Sequence, residues 1–197
     1  MNTAQEALRI GFELDRRFHW LRGEMDLDER TLATKEPALL TLARVLDGHG
    51  IAWAIVGGIA AQVHLDEPQT TLDIEVAVLD RAAPPVAELV AAGFRHQASF
   101  LYSDQWIGAG DVPVQFADDP VWHEGIGRAV RVALGDTTLP ILRAIDLLRT
   151  KLLAARDPAR RKSKRLRDVA DAVALVEQTP ALLDELSDDQ RAWLQLQ

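Results

Sequence analysis

Residues 56–78, VGGIAAQVHLDEPQTTLDIEVAV, contain a Gly-Gly pair after an apolar run and two carboxylates separated by one residue. In a strand, Asp73 and Glu75 point to the same face, about 7 Å apart at roughly 3.3 Å of rise per residue. Neighbouring carboxylates repel each other, and a divalent cation is one common compensation. The Gly57–Gly58 pair lets a phosphate approach bare backbone N–H groups. The stretch therefore suggests a metal-dependent nucleotide site.

The composition is that of an ordinary globular protein. The chain has 197 residues, of which 48% are hydrophobic and 26% charged, and it contains no Cys. Disulfides and thiolate metal sites are therefore excluded. Because no apolar run approaches the ~20 residues of a membrane span and no signal-peptide pattern is present, we expect a cytoplasmic location and no membrane partner. The net charge of −8 argues against broad DNA binding, although residues 156–167 are strongly basic.

Apolar periodicity predicts an α/β core followed by helices. The first 30 residues are predicted to form one or two helices. Strands are predicted over 51–56, 72–79, 112–116 and 128–134, with more β structure over 94–106 that turns around Ser103 and Asp104. Helices are predicted over 35–47, 59–65, 86–92, 141–156 and 164–178, with short helices after Pro180 and all of the chain from Leu139 helical. Asp80 is the expected cap of the helix that starts with Pro84 and Pro85.

These elements predict an α/β (α+β) fold with a small mixed β-sheet flanked by helices. We expect an N-terminal helical arm over 1–36, an α/β core over 37–136 and a C-terminal helical segment over 137–197 that packs as one unit with the core. The alternation at 72–79 places Leu72, Ile74, Val76 and Val78 on one face, with the carboxylates on the other.

The ordered motif resembles the nucleotidyltransferase superfamily of the polymerase-β type, and most of all the minimal bacterial branch that includes AbiEii-type toxins. The matching residues are Gly57, Gly58, Ala61, His64, Thr71, Asp73 and Glu75. A second match lies downstream, where Lys151 precedes a basic stretch and the pair Asp168 and Asp171. The resemblance covers about residues 37–177 and implies a nucleotidyltransferase-like core.

The resemblance also implies an activity and its partners. It implies transfer of a nucleoside monophosphate from an NTP to a protein or RNA acceptor, with Mg²⁺ in a site that can hold two metal ions. The toxins of this branch also make a toxin role with a cognate antitoxin an expectation. Asp73 and Glu75 would be catalytic and bind the metal. The nucleotide-binding residues would be Gly57, Gly58, Thr71 and Lys151. Lys151 lies beside the apolar seam of its helix, so it either reaches a triphosphate or extends to water.

Two positions depart from the family pattern. The third carboxylate, a metal ligand and base, is expected on the strand over 112–116, where this sequence has Gln115. Asp111 and Asp119 share its parity but lie four residues away, roughly 13 Å along an ideal strand. Gln69 stands where an Arg is usual before Thr71. A catalytically degenerate relative that binds a nucleotide or a partner protein therefore stays open as the alternative.

Plainer interpretations accompany several of these residues. His64 is expected to be a packing or capping residue, because no second His or carboxylate lies at i+4. The basic cluster from Arg160 to Arg167 is expected to be a solvated helix start, and Asp168 and Asp171 to pair with local Arg and Lys. Spacing alone does not decide between a core role and base stacking for Trp53, Trp106 and Trp122.

Overall fold

The computed structural model describes residues 4–21, 35–67 and 71–195. The helices are α1 (Ala4–Leu21), α2 (Lys35–Gly48), α3 (Gly57–His64), α4 (Val86–Ala91), α5 (His123–Gly127), α6 (Ala144–Arg156), α7 (Lys162–Gln178) and α8 (Asp188–Leu194). The strands are β1 (Trp53–Ile55), β2 (Ile74–Val78), β3 (Arg95–Ser99), β4 (Ser103–Ile107), β5 (Pro113–Ala117), β6 (Val130–Leu134) and β7 (Thr137–Ile141). Across these ranges, no helix combines the length and the apolar character that crossing a membrane requires.

Within the described residues, the strands form one mixed sheet in the order β3-β4-β5-β2-β1-β7-β6. β1 runs parallel to β7 and β2 runs parallel to β5, whereas the other neighbouring strands are antiparallel. Helices pack against this sheet, and their apolar faces contribute to one hydrophobic core. The predicted fold class, a mixed sheet flanked by helices, is confirmed.

Side-chain alternation in the two central strands separates the core from the candidate site. Ile74 and Val76 of β2 are fully buried, as are Val114 and Phe116 of β5. The intervening residues point to the opposite face, and the register places Glu75 directly beside Gln115. The sheet therefore presents both residues on the same face.

The strand β7 corrects the prediction that the chain is helical from Leu139. Residues Thr137–Ile141 pair with β6 along their whole length, Ile141 also pairs with Ile55 of β1, and α6 begins only at Ala144. Pro140 lies inside the segment, and prolines are rare in strands that are paired on both sides. A tight hairpin with β6 and pairing with the distant strand β1 thus decide its conformation. The three-region division stays a prediction, although β7 falls within the range assigned to the helical segment.

Two local predictions were also wrong. The turn expected at Ser103 and Asp104 lies at residues 100–102, and both residues begin β4 instead. Asp80 does not cap α4, because its side chain accepts a hydrogen bond from the Ala82 N–H (2.8 Å) in a preceding turn. The helix α4 begins at Val86.

The helix α1 is joined to the core by apolar and ionic contacts. Leu8 and Phe12 are fully buried in the core. A buried ion pair between Asp15 and Lys35 links α1 to α2, and the Lys35 N–H also lies 3.4 Å from the Asp15 carboxylate. Losing one member of such a pair leaves an uncompensated buried charge. Residues 1–3 and 22–34 of the predicted N-terminal arm lie outside the described residues.

Candidate functional site

A cavity of about 850 Å³, called the cleft below, lies between the sheet and the helices α6 and α7. All six residues predicted for the nucleotide site line it: Gly57, Gly58, Thr71, Asp73, Glu75 and Lys151. The sheet contributes the acidic residues of β2 and its approach, and α6 contributes the Lys. The structure therefore brings the two separate sequence matches to one place.

The Gly-Gly turn is shaped around the Glu75 side chain. Gly57 has φ +60°, and a Cβ on it would lie 1.6 Å from the Glu75 Oε2. The Gly58 N–H donates a hydrogen bond to the same oxygen (3.3 Å). Residue 57 thus needs glycine for its backbone conformation and for the close approach of the carboxylate.

Thr71 supports the acidic pair from the other side. Its hydroxyl donates to the Asp73 Oδ1 (2.9 Å), and a Cβ on Gly58 would lie 2.6 Å from the Thr71 Cβ. Thr71 therefore packs on the glycine turn while it orients Asp73. Gln69, which stands where the family pattern has Arg, lies outside the described residues.

The environment of Glu75 favours its neutral form. Burial raises the pKa of the Glu75 carboxyl, and the negative charge of Asp73 raises it further. The positive charges of Lys151 and Lys164 and the hydrogen bond from the Gly58 N–H oppose this shift without cancelling it. A cation placed in the cleft would lower the pKa again by favouring the carboxylate.

Lys151 extends from α6 toward an acidic pair on α7. Its Nζ lies 2.7 Å from the Asp171 Oδ2 and 3.2 Å from the Asp168 Oδ1. Burial acts to lower the pKa of Lys151, but the carboxylates of Asp171, Asp168 and Glu75 outweigh burial and raise it. Lys151 is thus a charged group inside the cleft and does not extend to bulk water.

The expected third carboxylate is absent from its strand position. Gln115 lies beside Glu75 and lines the cleft. Asp111 is exposed and pairs with Arg95 (2.7 Å), and Asp118 pairs with Arg81 (2.8 Å). Asp119 lines the cleft, but its side chain accepts a hydrogen bond from the Val121 N–H (3.0 Å).

The metal-binding capacity of the cleft rests on Asp73 and Glu75. In the part of the chain that the structure describes, no group of three or more His, Asp or Glu side chains is placed to hold a metal. Two carboxylates nevertheless fit one Mg²⁺, which usually takes one or two carboxylates and completes its shell with phosphate oxygens and water. The position that would add a further carboxylate has Gln115.

Several residues of the cleft were not singled out by sequence. Arg160, Lys164 and Arg167 line it, although their segment was interpreted as a solvated helix start. Lys164, Arg167 and Asp171 follow one another on α7 at spacings of three and four residues, and this spacing was the available signal. Arg160 also contacts the Asp168 Oδ2 (2.7 Å) through its Nε.

Of the His and Trp residues considered in the sequence, only Trp122 lines the cleft. The His64 Nε2 lies 2.7 Å from the Leu142 carbonyl oxygen, so His64 ties α3 to the segment after β7 and is not part of the cleft lining. Trp53 is buried and donates to Asp47 (2.8 Å), and Trp106 is buried against Phe116. Trp122 lines the cleft.

The fold is similar to that of solved nucleotidyltransferase-like structures. An antigenic nucleotidyltransferase-like protein from Paracoccidioides brasiliensis has a TM-score of 0.55 and 18% identity, over 80% of this chain and 84% of that protein. The antibiotic-resistance factor ANT(2'')-Ia, in complex with adenylyl-2''-tobramycin, has a TM-score of 0.54 and 15% identity, over 83% of this chain and 98% of that one. The chain has a nucleotidyltransferase-like fold.

A third structure, JHP933 from Helicobacter pylori, has a TM-score of 0.50 and 12% identity, over 87% of this chain and 80% of that protein. No protein-family model matches the sequence, and no curated protein matches it either. The fold is thus established by shape, whereas the AbiEii-like branch stays a prediction from the sequence.

Proposed function

We propose that the cleft binds an NTP with Mg²⁺ and transfers its nucleoside monophosphate to an acceptor hydroxyl. One observation carries this proposal: Asp73 and Glu75 lie beside the Gly-Gly turn in the same cavity as Lys151. Such a site needs negatively charged side chains for the metal ion and positively charged side chains for the anionic oxygens of the triphosphate. The nucleotidyltransferase-like fold supports the same activity.

Each part of the cleft has a distinct task in this proposal. Asp73 and Glu75 would hold the Mg²⁺, which when bound offsets phosphate charge. Lys151 would pair with the triphosphate, in exchange for part of its contact with Asp171. Lys164 and Arg167 would add positive charge, and the start of α3 would favour anionic oxygens. Trp122 would offer an aromatic face to the base.

The proposed nucleotidyl transfer exchanges one bond to phosphorus for another and involves no change of oxidation state. The acceptor oxygen forms a bond to the α-phosphorus, the bond from that phosphorus to its bridging oxygen breaks, and pyrophosphate leaves. The proton of the acceptor hydroxyl passes to solvent, because Gln115 is an amide and does not accept it as a carboxylate would. A protein or RNA acceptor, a toxin role and a cognate antitoxin remain the finer expectations of the sequence resemblance.

Gln115 favours a second candidate function. A relative that binds a nucleotide or a partner protein without turnover needs no third carboxylate, and the position beside Glu75 has none. The two candidates differ in one measurable respect, since only the first releases pyrophosphate and labels an acceptor.

Incubation with each α-³²P-labelled NTP, Mg²⁺ and a cell extract tests transfer. We expect an acceptor to be labelled by the wild type and not by the double variant Asp73→Asn, Glu75→Gln. The variant Asp111→Asn is the matched control, because Asp111 is exposed and pairs with Arg95. Equal labelling by the wild type and the double variant would overturn the catalytic proposal.

A further inference from the structure

Exposed apolar side chains lie on the wall of the cleft and on the turn beside it. Tyr102, Val121 and Leu153 line the cavity and are more than a third exposed. Phe100 and Leu101 directly precede Tyr102 in the turn between β3 and β4. These five residues are called the apolar rim. Exposed apolar surface of this kind commonly marks a site of protein interaction.

The turn that carries the centre of the rim is held in place by its backbone. Arg81 donates to the Phe100 carbonyl (2.7 Å) and to the Leu101 carbonyl (3.0 Å). The Asp118 N–H donates to the Tyr102 carbonyl (3.2 Å). All three carbonyls are thus hydrogen-bonded, and the side chains of the turn are more than half exposed, with Leu101 at 77%. Such a preorganised loop loses little conformational entropy when a partner binds.

The charges near the turn at residues 100–102 are mainly negative. The Arg81 guanidinium faces Asp104 (3.4 Å) and Asp118 (2.8 Å), and Asp119 follows in the chain and lines the cleft. At this turn one positive charge thus stands against three negative charges. The basic side chains that line the cleft lie on α6, before α7 and on α7: Lys151, Arg160, Lys164 and Arg167. An RNA backbone would be repelled from the turn, whereas Lys and Arg side chains of a protein would be attracted.

We propose that the apolar rim docks a protein acceptor through a segment in which an apolar side chain lies beside Lys or Arg. The inference rests on the proposed function, because it names the substrate class of the same cleft. Tyr102, Val121 and Leu153 belong to both the rim and the cavity wall, so a segment seated on the rim places its neighbouring hydroxyl groups at the mouth of the cleft. RNA and a second copy of this chain are competing occupants.

Selection of a random dodecapeptide display library on the immobilised full chain tests the proposal. We expect enriched peptides to share an apolar residue next to Lys or Arg. A synthetic consensus peptide should bind the wild type in fluorescence anisotropy and bind Leu101→Ser at least about tenfold more weakly, since loss of one central anchor costs about this much. Val90→Ser is the matched control, because Val90 is 56% exposed on α4 and does not line the cleft.

Four outcomes would overturn the inference: no enriched motif, an acidic motif, equal binding by the wild type and Leu101→Ser, or equal losses in Leu101→Ser and Val90→Ser. Two further measurements test the competing occupants. Self-association in sedimentation velocity that Leu101→Ser abolishes would assign the rim to a second copy. Binding of a random-sequence RNA that Leu101→Ser abolishes would assign it to RNA.

The inference and the proposed function fail in different ways. If the chain binds a nucleotide but binds no peptide through the rim, the inference about the rim is overturned and the proposed function is not. Peptide binding that depends on the rim, by a chain that binds no NTP, would overturn the proposed function and with it the role of the partner as an acceptor.

Discussion

The Glu75 carboxylate occupies the space that a side chain on Gly57 would need. A Cβ at residue 57 would lie 1.6 Å from the Glu75 Oε2, and the Gly57 backbone has φ +60°. The turn and the acidic strand are therefore one steric unit, although 17 residues separate the Gly58 N–H from the carboxylate that it contacts. Residue 57 therefore needs glycine for a steric reason in addition to its positive φ.

Replacing Gly57 by Ala should destabilise the protein more than replacing Gly50 by Ala. Gly50 has a similar φ of +65° but nothing within 4 Å of its added Cβ, so Gly50→Ala should cost only the backbone strain of about 1–2 kcal/mol. Urea unfolding measures both free energies. In a Glu75→Ala background the excess cost of Gly57→Ala should shrink, because only the Cβ of residue 75 remains, 3.2 Å from the added Cβ. Equal costs of the two Ala variants in the wild-type background would contradict the steric account.

The raised pKa of Glu75 predicts a pH-dependent gain in stability for Glu75→Gln. A carboxyl whose pKa is higher in the folded state than in the unfolded state stabilises the fold below its usual pKa, and that contribution is lost as the pH rises through the folded pKa. At pH 8 we expect Glu75→Gln to raise the melting temperature by about 2 °C or more, the shift that about 1 kcal/mol produces in a chain of this size.

The difference between Glu75→Gln and the wild type should shrink as the pH falls toward the usual pKa of a Glu side chain. Asp111→Asn serves as the control, since this exposed residue lies outside the cleft. Thermal unfolding at pH 8 and pH 5 gives the comparison. A difference that is constant with pH, or that grows as the pH falls, would show that burial does not dominate the titration of Glu75.

Lys151→Gln should weaken nucleotide binding at least about tenfold. The Lys151 ammonium is the charged group that α6 places in the cleft, and its removal takes away an attraction for the triphosphate. Titration with a fluorescent NTP analogue in Mg²⁺ measures the affinity. Arg156→Gln is the matched control on the same helix, because Arg156 pairs with Asp189 on the surface (2.7 Å). Equal affinities of the two variants would contradict the role of Lys151.

Gln115→Asp should increase the rate of nucleotidyl transfer at least about tenfold. The substitution supplies a carboxylate beside Glu75 that can take the proton from the hydroxyl group of the acceptor substrate. The rate of pyrophosphate release in the presence of extract measures this. Gln97→Asp introduces the same charge at an exposed position on β3 and should leave the rate unchanged. No increase in Gln115→Asp, together with no transfer by the wild type, would favour the non-catalytic candidate.

The sequence was most informative where local pattern and burial agree. The alternation of β2 and the apolar run of β1 predicted their strands, and the motif from Gly57 to Glu75 predicted residues that the cleft does bring together. The register that places Gln115 beside Glu75 also agreed with the expected position of the third carboxylate. Short-range spacing carries this information because Gly57 and Gly58 share one turn, and Asp73 and Glu75 lie at the start of one strand.

The sequence was least informative where pairing between distant residues decides the structure. β7 was missed because Pro140 interrupts a short segment and because β1, its partner on one side, is distant in sequence. Phe100, Leu101 and Tyr102 have the composition of a strand, yet hydrogen bonds from Arg81 hold the first two of them in a turn. The contact between Gly57 and the Glu75 carboxylate has no local signal at all.

Equilibrium binding of Mg²⁺–NTP, measured by calorimetry for each of the four nucleotides, tests the central claim most directly. We expect the wild type and Asp111→Asn to bind at least one NTP, and we expect chelation of Mg²⁺ or the double variant Asp73→Asn, Glu75→Gln to weaken that binding at least about tenfold. Absence of binding for all four NTPs, or equal binding by the wild type and the double variant, would contradict a nucleotide site at Asp73 and Glu75.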